Sequence, residues 1–444
     1  MPTLMRLREL NLPPNQTVLL ATLLQNEPGF VWLDSAEAQC HNGRYSLLSC
    51  RPREILVHRY GERSASDFLD HWNERYRARA LQQNSHLPFA GGWLGALYYD
   101  FGEELMNISP APEKTERPTA YAAYHPWAVI VDHDTQTTYW VDDGQELDAF
   151  AGSLKERLLN NDLALPPSSQ AVITKPTWQA RETQAHYYRA IDRILQYLLA
   201  GDSYQVNYAQ RFEADFNHTL WPMYLALRGS NQAPYSACLL NTALDDILCF
   251  SPELFIKADQ GHLFTQPIKG TSPRGEDHER DKKLATQLSH SVKNRAENIM
   301  IVDLLRNDFG RVCIPGSIRV DALCELQSYP SVHHLVSEIR GVLAPGKTPI
   351  DALKAVFPGG SITGAPKKRS MEIIRELEPS SRGIYCGSVF SLSNHGSFTS
   401  NIAIRTISVS DGLARVWGGG GIVSDSIAEE EYQETFDKLS KILV

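Results

Sequence analysis

Gln266-Pro267-Ile268-Lys269-Gly270-Thr271 lies between the run His262-Leu263-Phe264-Thr265 and the turn-rich Ser272-Pro273-Arg274-Gly275. The first run reads as a strand. Pro267 fixes its own φ, and Gly270 lets the backbone take a positive φ or pass close to a ligand. Lys269 is therefore expected as a positioned amine on a strand-to-loop junction. Most lysines are solvated surface groups, so the weight of this one depends on its company. Upstream, Ser251-Pro252-Glu253-Leu254 carries a glutamate that an intervening hairpin would bring beside the amine.

Outward from that stretch, hairpin strands mix with separate helices. Phe30-Val31-Trp32-Leu33 and Arg44-Tyr45-Ser46-Leu47-Leu48 are candidate strands, and Trp127–Val131 with Thr137–Val141 reads as a hairpin over the polar turn 132–136. Tyr187, Ile191, Ile194, Leu195 and Leu198 form one apolar stripe at helical spacing, stopped by Gly201. Ser203–Phe212 reads as a strand, 284–306 as one helix, and 427–443 as the closing helix. Asn401–Val409 and Leu413–Trp417 are expected as strands joined across Asp411-Gly412. The polar, proline-containing stretch 163–176 is a linker or crossing loop. Hairpins with segregated helices predict an α+β fold, not an alternating βαβ one.

The 444 residues suggest two or three domain-sized pieces, with 42% hydrophobic and 21% charged content as in ordinary globular chains. A net charge of −9 offers no basic stripe for phosphates, which argues against nucleic acid. Seven scattered cysteines without a CxxC pair suggest reduced thiols in a cytoplasm-like compartment. Neither a signal peptide nor a run long enough to span a membrane is expected.

Three groups of residues offer chemistry. Glu431 and Glu434 are three apart on the closing helix and share a face, and Glu297 sits mid-helix in Arg295-Ala296-Glu297-Asn298. Hard cations such as Mg²⁺ take carboxylate oxygens, often only one or two from protein; a solvated acidic face is the other reading. Gly359-Gly360-Ser361-Ile362-Thr363-Gly364-Ala365-Pro366-Lys367 is not a Walker A loop, because Ala365 and Pro366 separate glycine from lysine. Trp417-Gly418-Gly419-Gly420-Gly421-Ile422 can hold a carboxylate on bare amides, or simply turn. Arg405, read within the strand Ile402–Thr406, is either edge-facing or paired with an anion. His333-His334 are metal ligands or satisfied structural histidines.

Taken together and in order, these motifs resemble the chorismate-utilising enzymes, a family of anthranilate-, isochorismate- and aminodeoxychorismate-forming members. The resemblance is strong over roughly 185–444 through Gln205-Val206-Asn207, Ser251-Pro252-Glu253, Pro267–Thr271, Arg295–Asp308, Gly359–Lys367 and Gly420–Glu434. It is looser in the N-terminal part, through Trp32-Leu33-Asp34-Ser35 and Gly43-Arg44-Tyr45-Ser46. It implies an α+β fold with antiparallel sheets packed face to face and helices on their flanks, of the anthranilate synthase component I kind. It also implies an N-terminal region over 1–165 and a chorismate-binding catalytic domain over 183–444.

Within the family, anthranilate-forming members look like Pro-Ile-Ala-Gly-Thr at the first stretch, and the lysine version is similar to members that aminate chorismate at C4. Gln205 stands where isochorismate- and salicylate-forming members carry a water-activating lysine. The implied reaction gives 4-amino-4-deoxychorismate, on the route to 4-aminobenzoate and folate, with Lys269 attacking C2 and Glu253 protonating the leaving hydroxyl. A neutral amine is needed, and bringing a lysine from about 10.4 toward 7 is worth about 4–5 kcal/mol. Burial drives it, and Glu253 must be protonated so as not to oppose it.

By the same resemblance, Glu297, Glu434 and Glu431 bind Mg²⁺. Gln205, Thr363, Tyr385, Arg405, Gly419, Gly420, Gly421, Lys438 and His334 line the substrate site. Leu33-Asp34-Ser35 resembles a tryptophan pocket with Asp in place of Glu, which leaves bound tryptophan open and argues against feedback. No Gly-x-Cys-x-Gly element is present, so a separate glutamine amidotransferase is the implied ammonia source. An anthranilate-forming enzyme, in which Lys269 is a bystander, and a non-catalytic chorismate-binding subunit remain as alternatives.

Overall fold

The computed structural model describes residues 5–35, 43–81, 85–109, 117–164, 176–329 and 332–443. The core of the expected linker, 165–175, lies outside them, as does Cys40. Two antiparallel sheets, of 12 and 10 strands, organise the described residues. The first runs Arg6–Leu10, Thr137–Asp142, Trp127–Asp132, Tyr45–Ser49, Phe30–Asp34, Tyr235–Leu240, Asp246–Ser251, Thr406–Ser410, Leu413–Ile422, Gln205–Asp215 and Gly364–Ala365, with Gln179–Ala180 beside Gln205–Asp215. The second runs Ile268–Pro273, Val332–Val342, His262–Thr265, Leu254–Asp259, Phe398–Asn401, Ser388–Ser393, Gly92–Leu97, Pro118–His125 and Glu54–Arg59, with Arg319–Ser328 beside Val332–Val342.

The sheets pack face to face over a shared core in which Val31, Ala237 and Ile247 of the first meet Leu94, Tyr121 and Val389 of the second. Helices cover the outer faces. Ala65–Arg77 and Pro349–Val356 contribute Trp72 and Leu353 to the core behind the second sheet, while Lys367–Leu377 packs on Gln205–Asp215 of the first, its Ile373 and Ile374 clustering with Val206 and Tyr208. Thr17–Leu24, Leu220–Ser230 and Ala428–Leu439 contribute Leu20, Tyr224 and Leu439 behind the first. The expected α+β fold is the one observed. Each sheet takes strands from both 1–165 and 183–444, the N-terminal strands occupying one end of each.

Three local expectations change. The helix read over 284–306 is two, His278–Ser289 and Val292–Gly310, because Ser291 interrupts it and caps the second by accepting from the Asn294 amide. The loop after Lys269 begins later than expected: Ile268–Pro273 is a strand paired with Val332–Val342, and only Arg274-Gly275 of the turn-rich run lies beyond it. The strand read over 401–409 breaks, with Phe398–Asn401 in the second sheet and Thr406–Ser410 in the first. No helix among the described residues is long and apolar enough to cross a membrane.

Candidate active site

The site forms where the chain crosses between sheets. Asp246–Ser251 ends in the first sheet, Pro252-Glu253 crosses, and Leu254–Asp259 begins in the second. Beside it Ile402–Arg405 makes the reverse crossing, and the Ile402 amide donates to the Glu253 carbonyl at 3.1 Å. Arg405 is therefore not a strand residue; it turns this corner with φ 52°. Among the described residues its half-buried guanidinium has no hydrogen-bond or ion-pair partner, and burial alone lowers its pKa. A half-buried arginine left unpaired is prepared for an external carboxylate.

The hairpin of Leu254–Asp259 and His262–Thr265 lies between Glu253 and Lys269. Lys269 pairs with Leu335, and the register slips at Gly270, whose φ is +81°. A β-carbon there would sit 2.9 Å from the Asn294 side chain, so the bulge holds the strand against the helix Val292–Gly310. The Lys269 side-chain nitrogen, Nζ, donates to the Ser361 carbonyl at 2.9 Å, and the Ser361 hydroxyl donates to Glu253 Oε1 at 3.0 Å. Burial lowers the Lys269 pKa, against the pull of Glu253, Glu297 and Glu434 and with the push of Lys438. Burial raises that of Glu253, against Lys269, the Ser361 hydrogen bond and Lys438. Both shifts favour the uncharged forms.

Ser361 is the member that motif reading passed over. It lies inside the Gly359–Lys367 run, whose glycines and lysine point to a phosphate loop and away from the serine. Thr363 is fully buried and spends its hydroxyl on the Gly359 carbonyl at 2.9 Å, closing the loop on itself.

The glycine strand Leu413–Ile422 pairs with Gln205–Asp215 along its length, but with Thr406–Ser410 only as far as Val416. Beyond Val416 one edge of Gly418–Gly421 has no strand neighbour among the described residues. A β-carbon on Gly420 would meet Glu431 Oε2 at 3.2 Å, Lys438 Nζ at 3.5 Å and Glu434 Oε1 at 3.6 Å. The closing helix thus lays its acidic face on that glycine. Lys438 Nζ pairs with Glu434 at 2.5 Å and donates to the Gly419 carbonyl at 2.9 Å. Glu431 is buried and accepts from the Ser426 hydroxyl at 2.7 Å.

Burial raises Glu297, with Glu434 among the further causes, and burial raises Glu431, again with Glu434 adding. Among the described residues no three of His, Cys, Asp or Glu gather closely enough to hold a metal alone. A magnesium ion that keeps water and substrate oxygens needs only one or two carboxylates, and this partly buried, mutually repelling set fits that demand.

Around these groups, Tyr385 is buried and stacks on Trp417 at 5.9 Å. His334 accepts or donates at 2.9 Å with the Thr271 hydroxyl, and burial, with Arg405 nearby, lowers it to about 4, which keeps it neutral at pH 7. Gln205 is fully buried against Gly421, and neither of its amide atoms has a partner among the described residues. Leu33, Asp34 and Ser35 line a different cavity of about 580 Å³, shared with Tyr235 and Leu254. Asp34 there is held by Arg228 and by the Tyr224 hydroxyl, the latter at 3.1 Å.

Over residues 30–444 the sequence matches the family described as chorismate binding enzyme, and the chain belongs to that family. Within it, the chain is 40% identical to aminodeoxychorismate synthase component 1 of Klebsiella aerogenes, covering 95% of this chain and 94% of the relative. It is 43% identical to the protein of the same name from Escherichia coli (strain K12), covering 81% and 78%. Among solved structures, anthranilate synthase component I of Streptococcus pneumoniae superposes with a TM-score of 0.79 at 31% identity, covering 90% of this chain and 92% of that one.

Proposed function

We propose that the chain is an aminodeoxychorismate synthase component 1, converting chorismate and ammonia to 4-amino-4-deoxychorismate. The observation that carries this is the pairing of Lys269 and Glu253 through Ser361, in surroundings that favour a neutral amine beside a protonated acid. The relatives of that name at up to 43% identity support it.

Neutral Lys269 attacks C2 of the ring, the two double bonds shift, and the C4–O bond breaks as Glu253 gives its proton to the leaving oxygen, releasing water. Ammonia then adds at C4, the double bonds shift back, and the C2–N bond breaks to return Lys269 as a free amine. The Glu253 carboxylate takes the surplus proton from the new C4 ammonium, which restores the acid. One hard displacement is split into two easier ones.

Arg405 and the free edge of the glycine strand hold the substrate carboxylates, with Tyr385, His334, Thr363, Gln205 and Lys438 around them. Glu297, Glu434 and Glu431 would hold Mg²⁺, which would supply charge neutralisation for the ring carboxylate. The cavity at Leu33-Asp34-Ser35 has a volume suited to a small ligand such as tryptophan. Ammonia comes from a glutamine amidotransferase partner, in keeping with the "component 1" of the relatives' name. Six described cysteines, all buried and free, accord with a reducing cytoplasm.

The test is the lone chain with chorismate, Mg²⁺ and either ammonium or glutamine, with products identified by mass. The expected result is 4-amino-4-deoxychorismate from ammonium only. Anthranilate with pyruvate, or activity on glutamine alone, overturns the reading.

A further inference from the structure

Ser361 is neither the acid nor the nucleophile, yet it touches both. Its hydroxyl donates to Glu253 Oε1 at 3.0 Å and its carbonyl accepts from Lys269 Nζ at 2.9 Å. The backbone around it has no slack. A β-carbon on Gly360 would lie 2.2 Å from the Leu304 side chain, and one on Gly359 would lie 2.9 Å from that of Ile402. The loop is therefore wedged between the glutamate helix Val292–Gly310 and the Ile402 crossing. Its two ends are tied by Lys367, whose Nζ donates to the Val356 carbonyl at 2.7 Å and to Asp308 of the same helix at 2.6 Å.

We propose that Ser361 is a positioning residue for both halves of the reaction: its hydroxyl fixes the Glu253 carboxyl and its carbonyl fixes the Lys269 amine. This rests on the amination chemistry proposed above. With Oε1 occupied as an acceptor, the transferable proton of Glu253 lies on Oε2. With one N–H aimed at the Ser361 carbonyl, the lone pair of Lys269 points along another tetrahedral direction, where the ring can meet it. The charged groups acting on Glu253 are Lys269 and Lys438, and those acting on Lys269 are Glu253, Glu297, Glu434 and Lys438. Against them the serine hydroxyl is the neutral donor that orients the acid.

The experiment compares the full-length chain with Ser361→Ala and Ser361→Thr, using chorismate, ammonium and Mg²⁺ across pH. Ser361→Ala is expected to lower kcat about tenfold, the scale of one lost hydrogen bond, with KM for chorismate within about twofold. Its alkaline limb moves to higher pH, because hydroxyl donation favours the carboxylate. Ser361→Thr, which keeps a hydroxyl, recovers most of the rate. An unchanged kcat and limb, a change confined to KM or melting temperature, or a threonine variant no better than alanine overturns the proposal. A wild-type chain that forms no 4-amino-4-deoxychorismate removes the amination reading and this inference with it. An active wild type with an indifferent Ser361→Ala removes this inference alone.

Discussion

Gln205 and Gly421 face each other so closely that a β-carbon on Gly421 would lie 2.4 Å from the Gln205 amide nitrogen. Gly421→Ala must therefore displace that buried amide. Kinetics should show kcat/KM for chorismate falling by about 10²-fold, the scale of a misplaced site group. Gln205→Ser added to Gly421→Ala should recover part of the loss by removing the clash.

The opposed shifts at Lys269 and Glu253 predict a bell-shaped dependence of kcat/KM on pH. The rate rises as Lys269 loses its proton, at a pKa held below the ordinary lysine value, and falls as Glu253 ionises, at one held above the ordinary glutamate value. Glu253→Gln should abolish turnover. The raised pKa of Glu253 also bears on stability: its contribution is full at acid pH and lost as pH rises through the folded-state value. Glu253→Gln should therefore melt higher than wild type on the alkaline side, as calorimetry across pH would record.

Lys269→Ala should eliminate any chorismate-derived mass adduct trapped on the chain and lower kcat by at least about 10³-fold. Intact-protein mass spectrometry of quenched mixtures reads the first effect directly. An adduct that survives the substitution would place the covalent bond elsewhere.

Glu434→Gln should raise the Mg²⁺ concentration for half-maximal activity by about tenfold or more. It also frees Lys438 from its 2.5 Å ion pair. Titration of activity against Mg²⁺, and depletion with a chelator, measure both the requirement and its shift.

Asp308 and Lys367 form a buried pair, with side chains 1% and 8% exposed, at 2.6 Å. Asp308→Ala strands an ammonium in the core and should cost about 3–5 kcal/mol in denaturant unfolding. Joint replacement, Asp308→Leu with Lys367→Met, should cost markedly less, because no charge is left unpaired.

Local pattern carried much of the fold into view. The stripe from Tyr187 to Leu198 and the Trp127/Thr137 hairpin each depend on neighbours in sequence, and each stands where periodicity put it. What escaped was set by distant partners. Arg405 looked like a strand residue because Ile402, Ala403 and Ile404 are apolar; those apolar side chains serve a crossing between sheets instead. Ser272-Pro273 has the composition of a turn, yet the pairing with Val332–Val342 carries the strand through it. Ser361 was hidden more deeply, since its role depends on Glu253 and Lys269 converging on it from 108 and 92 positions away.

The braiding of early and late strands into both sheets governs how the molecule can be born. The Ser35 hydroxyl waits for the Pro234 carbonyl, 199 positions on, and the Ala90 amide for the Ser393 hydroxyl, 303 positions on. At about 5–20 residues per second of synthesis, the first-made strands leave the ribosome many seconds before their neighbours exist. Such long-range closure is slow, so the nascent half depends on chaperones or on its own solubility until the last quarter of the chain arrives to complete it.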